Sequence, residues 1–504
     1  MSISDKALYV IAVMALAAAI CRFSGFWLMR FVPMTRDGGA TWVNVTGKMS
    51  GAPRWAYVSR VEPSKFAEGT VYATYDAHRT GDYGAYVYAS TDYGASWKSI
   101  VGNLPQGEVA RSITEDLKNA DVLYLGTETG LFVTMDRGKV WTRVRGNLPT
   151  VPIYEITLHP RDNAMILATH GRGIWILDDL TPLQDAAKAQ AASAHVFSMN
   201  PVEQQNSAGF RYYSSQGDMQ FLGPNPANVA RISYWLGAKA DSARMIIRDG
   251  AGNQVRQLDA EAMKNGLAAG MNVVEWDLRI EPIPAPKGSE GGGGGGFFGG
   301  GGGRNGTRGP WVLPGRFGAT LIVNGKEAAA SQFAVQGDRE IVITDQDRQR
   351  RYDLLKEGQQ LQAQLSEAST AVRTANQQLG QIKKVLADTG TTPVPIRAEL
   401  DSLMKTIAPL KTKFSIRDEG DESEFDFSAF RKVITFKLGG LLNSVGGATM
   451  PPSATDLSQW NELKTEIPAT IDQVNALVGQ LKPFYLRLAE AGLYPPVPKA
   501  VARP

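Results

Sequence analysis

Three carboxylates, Asp76, Asp82 and Glu128, stand beside residues that could work with them in acid–base chemistry. They occur in Tyr75-Asp76-Ala77-His78-Arg79-Thr80-Gly81-Asp82 and in Thr127-Glu128-Thr129. A third stretch, Thr169-His170-Gly171-Arg172, adds a second histidine and another arginine. Hydrolysis of a glycosidic bond uses two carboxyl groups, about 5–5.5 Å apart in retaining enzymes and about 6.5–9.5 Å apart in inverting ones. The surrounding side chains also suit ligand binding without chemistry. Arg54, Trp55, His78, Arg79, Arg111, Glu155, His170 and Arg172, with Glu108 and Tyr154, offer charge and aromatic surface to a peptide or glycan. For any one of them an ordinary solvated loop is the alternative. The histidines, at 78, 159, 170 and 195, lack metal-ligand spacing, so no metal and no cofactor is expected.

A repeat is what would bring these segments together. The frame Ser/Thr-x-Asp-x-Gly-x-x-Trp occurs at Thr35-Arg36-Asp37-Gly38-Gly39-Ala40-Thr41-Trp42, at Ser90-Thr91-Asp92-Tyr93-Gly94-Ala95-Ser96-Trp97 and at Thr134-Met135-Asp136-Arg137-Gly138-Lys139-Val140-Trp141. Asp in a turn accepts hydrogen bonds from nearby backbone amides. Gly supplies a backbone angle that a side chain opposes, and Trp returns the chain to an apolar layer. Strand-like runs precede the second and third boxes (Val71-Tyr72-Ala73-Thr74 and Ala85-Tyr86-Val87-Tyr88; Val122-Leu123-Tyr124-Leu125 and Gly130-Leu131-Phe132-Val133), and near-duplicate connectors follow them (Gly102-Asn103-Leu104-Pro105, Gly146-Asn147-Leu148-Pro149). One repeat therefore predicts four short antiparallel strands, with the box between the third and fourth. Such units at this spacing read as propeller blades.

These boxes resemble the Asp-box, or bacterial neuraminidase, repeat, and residues 34–182 resemble the sortilin-like propellers of bacteria that are often labelled glycosyl hydrolases. The run Ile166-Leu167-Ala168-Thr169-His170-Gly171-Arg172-Gly173-Ile174-Trp175-Ile176-Leu177-Asp178-Asp179 is similar to that family's closing blade. The resemblance implies a fold, and it implies a structural role for Asp37, Gly39, Trp42, Asp92, Gly94, Trp97, Asp136, Gly138 and Trp141. It does not carry the sialidase residues, an arginine triad with a Tyr/Glu pair, onto positions of this chain. The boxes lie at one face of the disk. The turns between second and third strands, and the connectors, lie at the other, where the residues of the first paragraph gather. About three blades are present where a closed propeller needs more, so an N-terminal propeller fragment, an oligomer partner or a truncated gene is expected to account for the rest.

Hydrophobic content of 43% with 20% charged residues is ordinary for globular protein. The net charge of +3 is small and no basic stripe appears, which argues against nucleic acid. Cys21 is the single cysteine, so no intramolecular disulfide can form, and the cysteine-rich module of animal sortilins is absent. Ala7 to Ile20 is an apolar run of signal-peptide length, flanked unfavourably by Asp5, Arg22 and Arg30. It predicts an exported or anchored protein, with a spurious start as the alternative.

Strand-like runs continue over 196–338 without a box and resemble the immunoglobulin-like sandwich of the flagellar hook-capping protein, broken by a Gly-rich insertion at 288–309. After Thr344 the period becomes helical. Leu354, Leu361, Leu365, Ala368, Val372, Ala375, Leu379, Ile382 and Leu386 form one stripe, with Thr344 and Asp347 as a capping pair. Two further runs lie around 400–410 and 457–488, and the acidic stretch 418–426 between them reads as a solvated loop. The expected chain is multidomain and mainly β: an apolar signal- or anchor-like segment (1–33), a partial Asp-box β-propeller (34–182), an Ig-like β-sandwich (196–338) and an α-helical hairpin or bundle (344–490). The expected function is an extracytoplasmic binding or scaffold protein for a peptide, glycan or protein partner. The alternative is a glycoside hydrolase using paired carboxylates on the propeller face.

Overall fold

Hydroxyl, carboxylate and glycine close the same turn three times. The computed structural model describes residues 31–35, 37, 39–205, 227–283, 309–388, 393–418, 432–447 and 450–491. Thr35, Ser90 and Thr134 accept hydrogen bonds from the amides of Gly39, Gly94 and Gly138 at 2.8, 2.9 and 2.9 Å. Asp37 accepts from the amide and hydroxyl of Thr41 at 2.9 and 2.5 Å. Asp92 does the same with Ser96 at 2.8 and 2.6 Å. Asp136 faces Val140, which has no hydroxyl, and accepts from the amides of Lys139 and Val140 at 3.0 and 2.9 Å. Left-handed pairs, Tyr93-Gly94 and Arg137-Gly138, bend the second and third turns, and glycine takes the second place of each pair.

The Thr41 hydroxyl and then its amide hold Asp37 down to about 2, and the Ser96 hydroxyl and amide do the same for Asp92, against the usual 3.8. Because the folded-state values are depressed, the stability these groups contribute is present above about pH 4. It is lost as pH falls through about 2. Carboxyl-carbon NMR titration should place the Asp92 midpoint near pH 2, and Ser96→Ala should move it upward. A midpoint near the ordinary carboxylate value in the parent chain would show that these hydrogen bonds do not form in solution.

The turns join short strands. β1 (Pro33–Met34) and β2 (Val43–Asn44) flank the first. β3 (Tyr57–Pro63), β4 (Val71–Asp76), β5 (Tyr86–Ser90) and β6 (Lys98–Ser99) form an antiparallel sheet in chain order around the second. β7 (Ala110–Glu115), β8 (Leu123–Thr127), β9 (Leu131–Thr134) and β10 (Trp141–Arg143) repeat it around the third. β11 (Ile153–His159), β12 (Ala164–Thr169) and β13 (Ile174–Leu177) make a three-stranded sheet. Successive sheets stack face to face. Tyr72 and Val87 pack with Ile113, Leu123, Leu125 and Phe132, and Tyr124 and Val133 pack with Ile153, Ile156, Met165 and Leu167. Hydroxyls stitch the first strands together: Ser59 donates to the Ala110 carbonyl, Ser112 to Ile153 and Thr114 to Ile156.

The boxes' tryptophans do not all return to an apolar layer. Trp141 is buried, with its Nε1 donating to the Ile100 carbonyl at 2.8 Å. Trp97 is partly buried against Val45, Tyr75 and their neighbours. Trp42 is 42% exposed and folds back on its own turn, its Nε1 donating to the Gly39 carbonyl. Among the described residues its sheet consists of β1 and β2, two residues each.

Two compact units divide the chain: residues to 200 with 233–240 and 268–272, and the remainder from 201. After β13 come two short helices, α1 (Thr181–Gln184) and α2 (Ala186–Ala191), which the periodicity did not predict; Pro182 opens the first. β14 (Ala194–Val196) follows, then β15 (Val202–Glu203), β16 (Ala230–Leu236), β17 (Ala243–Asp249), β18 (Gln254–Leu258), β19 (Gly270–Trp276), β20 (Gly315–Val323) and β21 (Lys326–Gln336). β14, β16 and β19 form one sheet, and β15-β21-β20-β17-β18 a second, five-stranded one. Asn324-Gly325, both left-handed, turn β20 into β21. In the second unit Trp276, fully buried, packs on Phe317 and Phe333 and donates Nε1 to the Arg279 carbonyl.

Four helices complete the described chain: α3 (Asp345–Asp388), α4 (Val394–Phe414), α5 (Ile434–Gly446) and α6 (Ala454–Glu490). They share one apolar core that includes the whole stripe read from α3. Thr344 and Asp347 cap α3 reciprocally, hydroxyl to carboxylate at 2.8 Å and amide to hydroxyl at 3.1 Å. α5 was not expected, although Ile434, Leu438, Leu441 and Val445 recur at helical spacing, because Gly439-Gly440 interrupts the pattern. Among the described residues no helix is long and apolar enough to cross a membrane. The apolar segment up to residue 30, Arg36, Gly38, the Gly-rich run 284–308 and acidic residues 419–426 lie outside the described residues.

Candidate functional site

Strand register gathers the site. Tyr57 pairs with Asp76, Ala110 with Thr127 and Ile153 with Thr169, so the start of each first strand meets the end of its second. The incoming connector and the turn between second and third strands therefore share one end of every sheet. The box turns occupy the other end, where Ser90 pairs with Val71 and Thr134 with Leu123.

Each first strand carries a β-bulge near its start. The pairing skips Ser59 in β3, Arg111 in β7 and Tyr154 in β11. A bulge adds one unpaired residue and re-aims its side chain. Arg111 and Tyr154 are the two large ones, and they meet: the Arg111 guanidinium carbon lies 5.0 Å from the Tyr154 ring centroid. Tyr154 also stacks with His170, at 5.2 Å with 28° between planes.

Arg111 is 8% exposed and ties two of the three carboxylates together. Its Nη1 is bound to Asp76 Oδ2, while its Nε and Nη2 donate to Glu128 Oε2 at 2.8 and 2.5 Å. The second oxygen of Asp76 accepts from the amide of His78 at 3.0 Å and meets His78 Nδ1 at 2.6 Å. The result is a continuous chain, His78–Asp76–Arg111–Glu128, with Tyr154 and His170 alongside. Asp76 and Arg111 are buried, the Glu128 side chain is 40% exposed and the two histidines reach solvent.

The remaining candidates stand apart from this chain. Asp82 closes its own loop, accepting from the Gly84 amide at 2.9 Å and the Tyr86 hydroxyl at 2.8 Å. Burial and then that bond push the Tyr86 hydroxyl up to about 12. Arg79 lies over Tyr57 at 5.4 Å and Arg54 over Trp55 at 5.3 Å. Glu155 pairs with Arg60 at 2.8 Å. The Arg172 carbonyl accepts from Trp175 Nε1. Glu108 takes the hydroxyls of Thr127 and Thr129, which stiffens the turn that carries Glu128. Asp37, Asp92 and Asp136 are occupied within their turns. The part of the site that sequence reasoning missed is the pairing of Arg111 with Tyr154. It follows from two bulges, and no residue type announces a bulge. Among the described residues no three or more His, Cys, Asp or Glu side chains converge as metal ligands.

Residues 85–212 match the family model described as Sortilin, neurotensin receptor 3. No curated protein matches the chain. Similar solved structures include a GH74 xyloglucanase from Xanthomonas campestris, 19% identical, covering 29% of this chain and 23% of that one with a TM-score of 0.23. YCF48 from Cyanidioschyzon merolae is 20% identical, covering 29% and 47% with a TM-score of 0.23. PorZ, a surface component of the type-IX secretion system of Porphyromonas gingivalis, is 14% identical, covering 56% and 30% with a TM-score of 0.22. The chain spans less than half the length of each. The family match and the repeated four-stranded sheets indicate a β-propeller type of fold for this part of the chain.

Proposed function

We propose that the sheet end carrying Asp76, His78, Arg111, Glu128, Tyr154 and His170 is a binding surface for a peptide or glycan in an extracytoplasmic scaffold protein. The observation that carries this reading is the position of Arg111. It is held by Asp76 and Glu128 and covered by Tyr154, an exposed ring, so both carboxylates already serve as its counter-charges. Exposed aromatic rings beside pinned charges form a rigid patch, and aromatic and arginine side chains carry much of the energy of recognition. In this reading 196–338 is an Ig-like spacer and the helices are a docking module. Further blades come from an N-terminal propeller fragment or an oligomer partner.

A hydrolase is the second reading. It is favoured by one fact, the convergence of Asp76 and Glu128 on a single guanidinium, which brings two carboxyl groups to one place. Glycan and peptide arrays, followed by calorimetry on a hit, test the first reading: Tyr154→Ala and His170→Ala should each weaken binding about tenfold or more. Unchanged affinity in both variants would sink it. A hydrolysis screen on the same glycans should be blank for the parent chain. Turnover that disappears in Asp76→Asn, Asp82→Asn or Glu128→Gln would establish the second reading instead.

A further inference from the structure

The second compact unit holds a charged cluster of its own. A β-bridge joins Arg279 to Trp311, framed by hydrogen bonds from the Ile280 amide to the Pro310 carbonyl and from the Val312 amide to the Leu278 carbonyl. The bridge sets the Arg279 guanidinium carbon 5.1 Å from the Trp311 ring centroid, and the Arg351 guanidinium of α3 reaches the same ring at 5.8 Å. One turn earlier on α3, Arg348 lies against Gly337, where a Cβ would overlap its guanidinium. The carboxylate paired with Arg348 is Asp345, 4.0 Å away and wholly exposed.

This arrangement costs free energy as it stands. Burial, then Arg279, then Arg348 bring Arg351 down to about 10 from the usual arginine range, so the charges acting on it are positive. Arg348 and Arg351 also occupy the first two turns of α3, where the helix dipole disfavours cations. Backbone carbonyls offset part of this: Val445 accepts from Arg351 Nε at 3.0 Å and Gly309 from Arg279 Nη1 at 2.8 Å. The terminal nitrogens of Arg351 have no acceptor among the described residues, and an anion would meet both the charge and the open donors. Planar guanidinium forks suit a tetrahedral oxyanion in particular.

We infer that Arg279 and Arg351, with Trp311 as their floor and Arg348 one helix turn away, form a site for a phosphate or sulfate group. This site is independent of the binding surface on the propeller sheets. The free inorganic ion and a sulfate ester on a glycan share this chemistry.

Thermal unfolding of the full chain tests it, with chloride replaced by inorganic phosphate or sulfate at constant ionic strength. A specific site gives a saturable rise in Tm with anion concentration. Preferential exclusion of these salts gives an unsaturable rise common to every variant. The parent chain should show the saturable part, and Arg351→Gln and Arg348→Gln should lose it. Arg348→Gln removes no buried hydrogen bond, so it folds even where Arg351→Gln is compromised by losing Val445. In chloride alone Arg348→Gln should be at least as stable as the parent. A parent without a saturable component, or an Arg348→Gln chain that keeps it, overturns the inference. A heparin-derived oligosaccharide saturating at tenfold or more lower concentration than inorganic sulfate assigns the site to a sulfated glycan; equal concentrations assign it to the free oxyanion.

Discussion

Arg111→Met should destabilise the propeller sheets by about 3–5 kcal/mol, the cost of leaving a buried charge without its partner. Asp76 would keep His78 and lose the guanidinium that balances it in the sheet interior. Methionine retains most of the aliphatic contact with Tyr154, so lost packing adds little. Glu128→Gln should cost under about 1 kcal/mol, because a half-exposed carboxylate is compensated by water. Adding Asp76→Asn to Arg111→Met removes the stranded charge and should recover a large part of the loss, a coupling within the range of about 0.5–3 kcal/mol seen for groups in one network. The chain has two compact units, so a single global transition would mix them. Hydrogen exchange of the β4 and β7 amides reports the relevant unit directly. An Arg111→Met loss below about 1 kcal/mol would show that water reaches Asp76 and that the network is not pinned.

Gly126→Ala should cost about 1–3 kcal/mol through overpacking. Gly126 lies in β8, facing the first strand of the next sheet. A Cβ there would sit 2.5 Å from Ser112 Oγ and 2.6 Å from the Ile153 carbonyl oxygen. The hydroxyl can rotate away, but the carbonyl belongs to β11 and cannot move without shifting the bulge that aims Tyr154. The variant should therefore lose stability and, on the proposed binding surface, weaken binding as well. Gly47→Ala, with nothing within 4 Å of the added methyl, is the matched control and should be neutral within about 0.5 kcal/mol. A Gly126→Ala chain as stable as the control would mean that the sheets stack more loosely than described.

Turns and helical faces were legible because their information is local. Ser90, Asp92, Gly94 and Ser96 close their turn with bonds spanning four residues or fewer, and the same offsets recur at Thr35 and Thr134. The α3 stripe needs only a repeat near 3.6 residues and a cap at Thr344. Where local cues conflicted, the reading failed. Gly439-Gly440 hid α5, and Trp42 carries the same frame as Trp141 yet stays exposed.

The carboxylates illustrate the other limit. Asp76, Asp82 and Glu128 look alike in sequence, each beside turn residues and charges. The fold separates them: Asp82 is taken up by Gly84 and Tyr86, while Asp76 and Glu128, fifty-two positions apart, share Arg111. Sequence by itself determined the repeat, the strand order within a unit and the end of the sheet to which each loop goes, because antiparallel hairpins and turn chemistry act over a few residues. Only the tertiary structure decided which charges meet, because that depends on a bulge in one strand and the stacking distance to the next. The same reason places Arg279, Arg348, Arg351 and Trp311 together, residues that share no motif and are joined by one β-bridge and one helix turn.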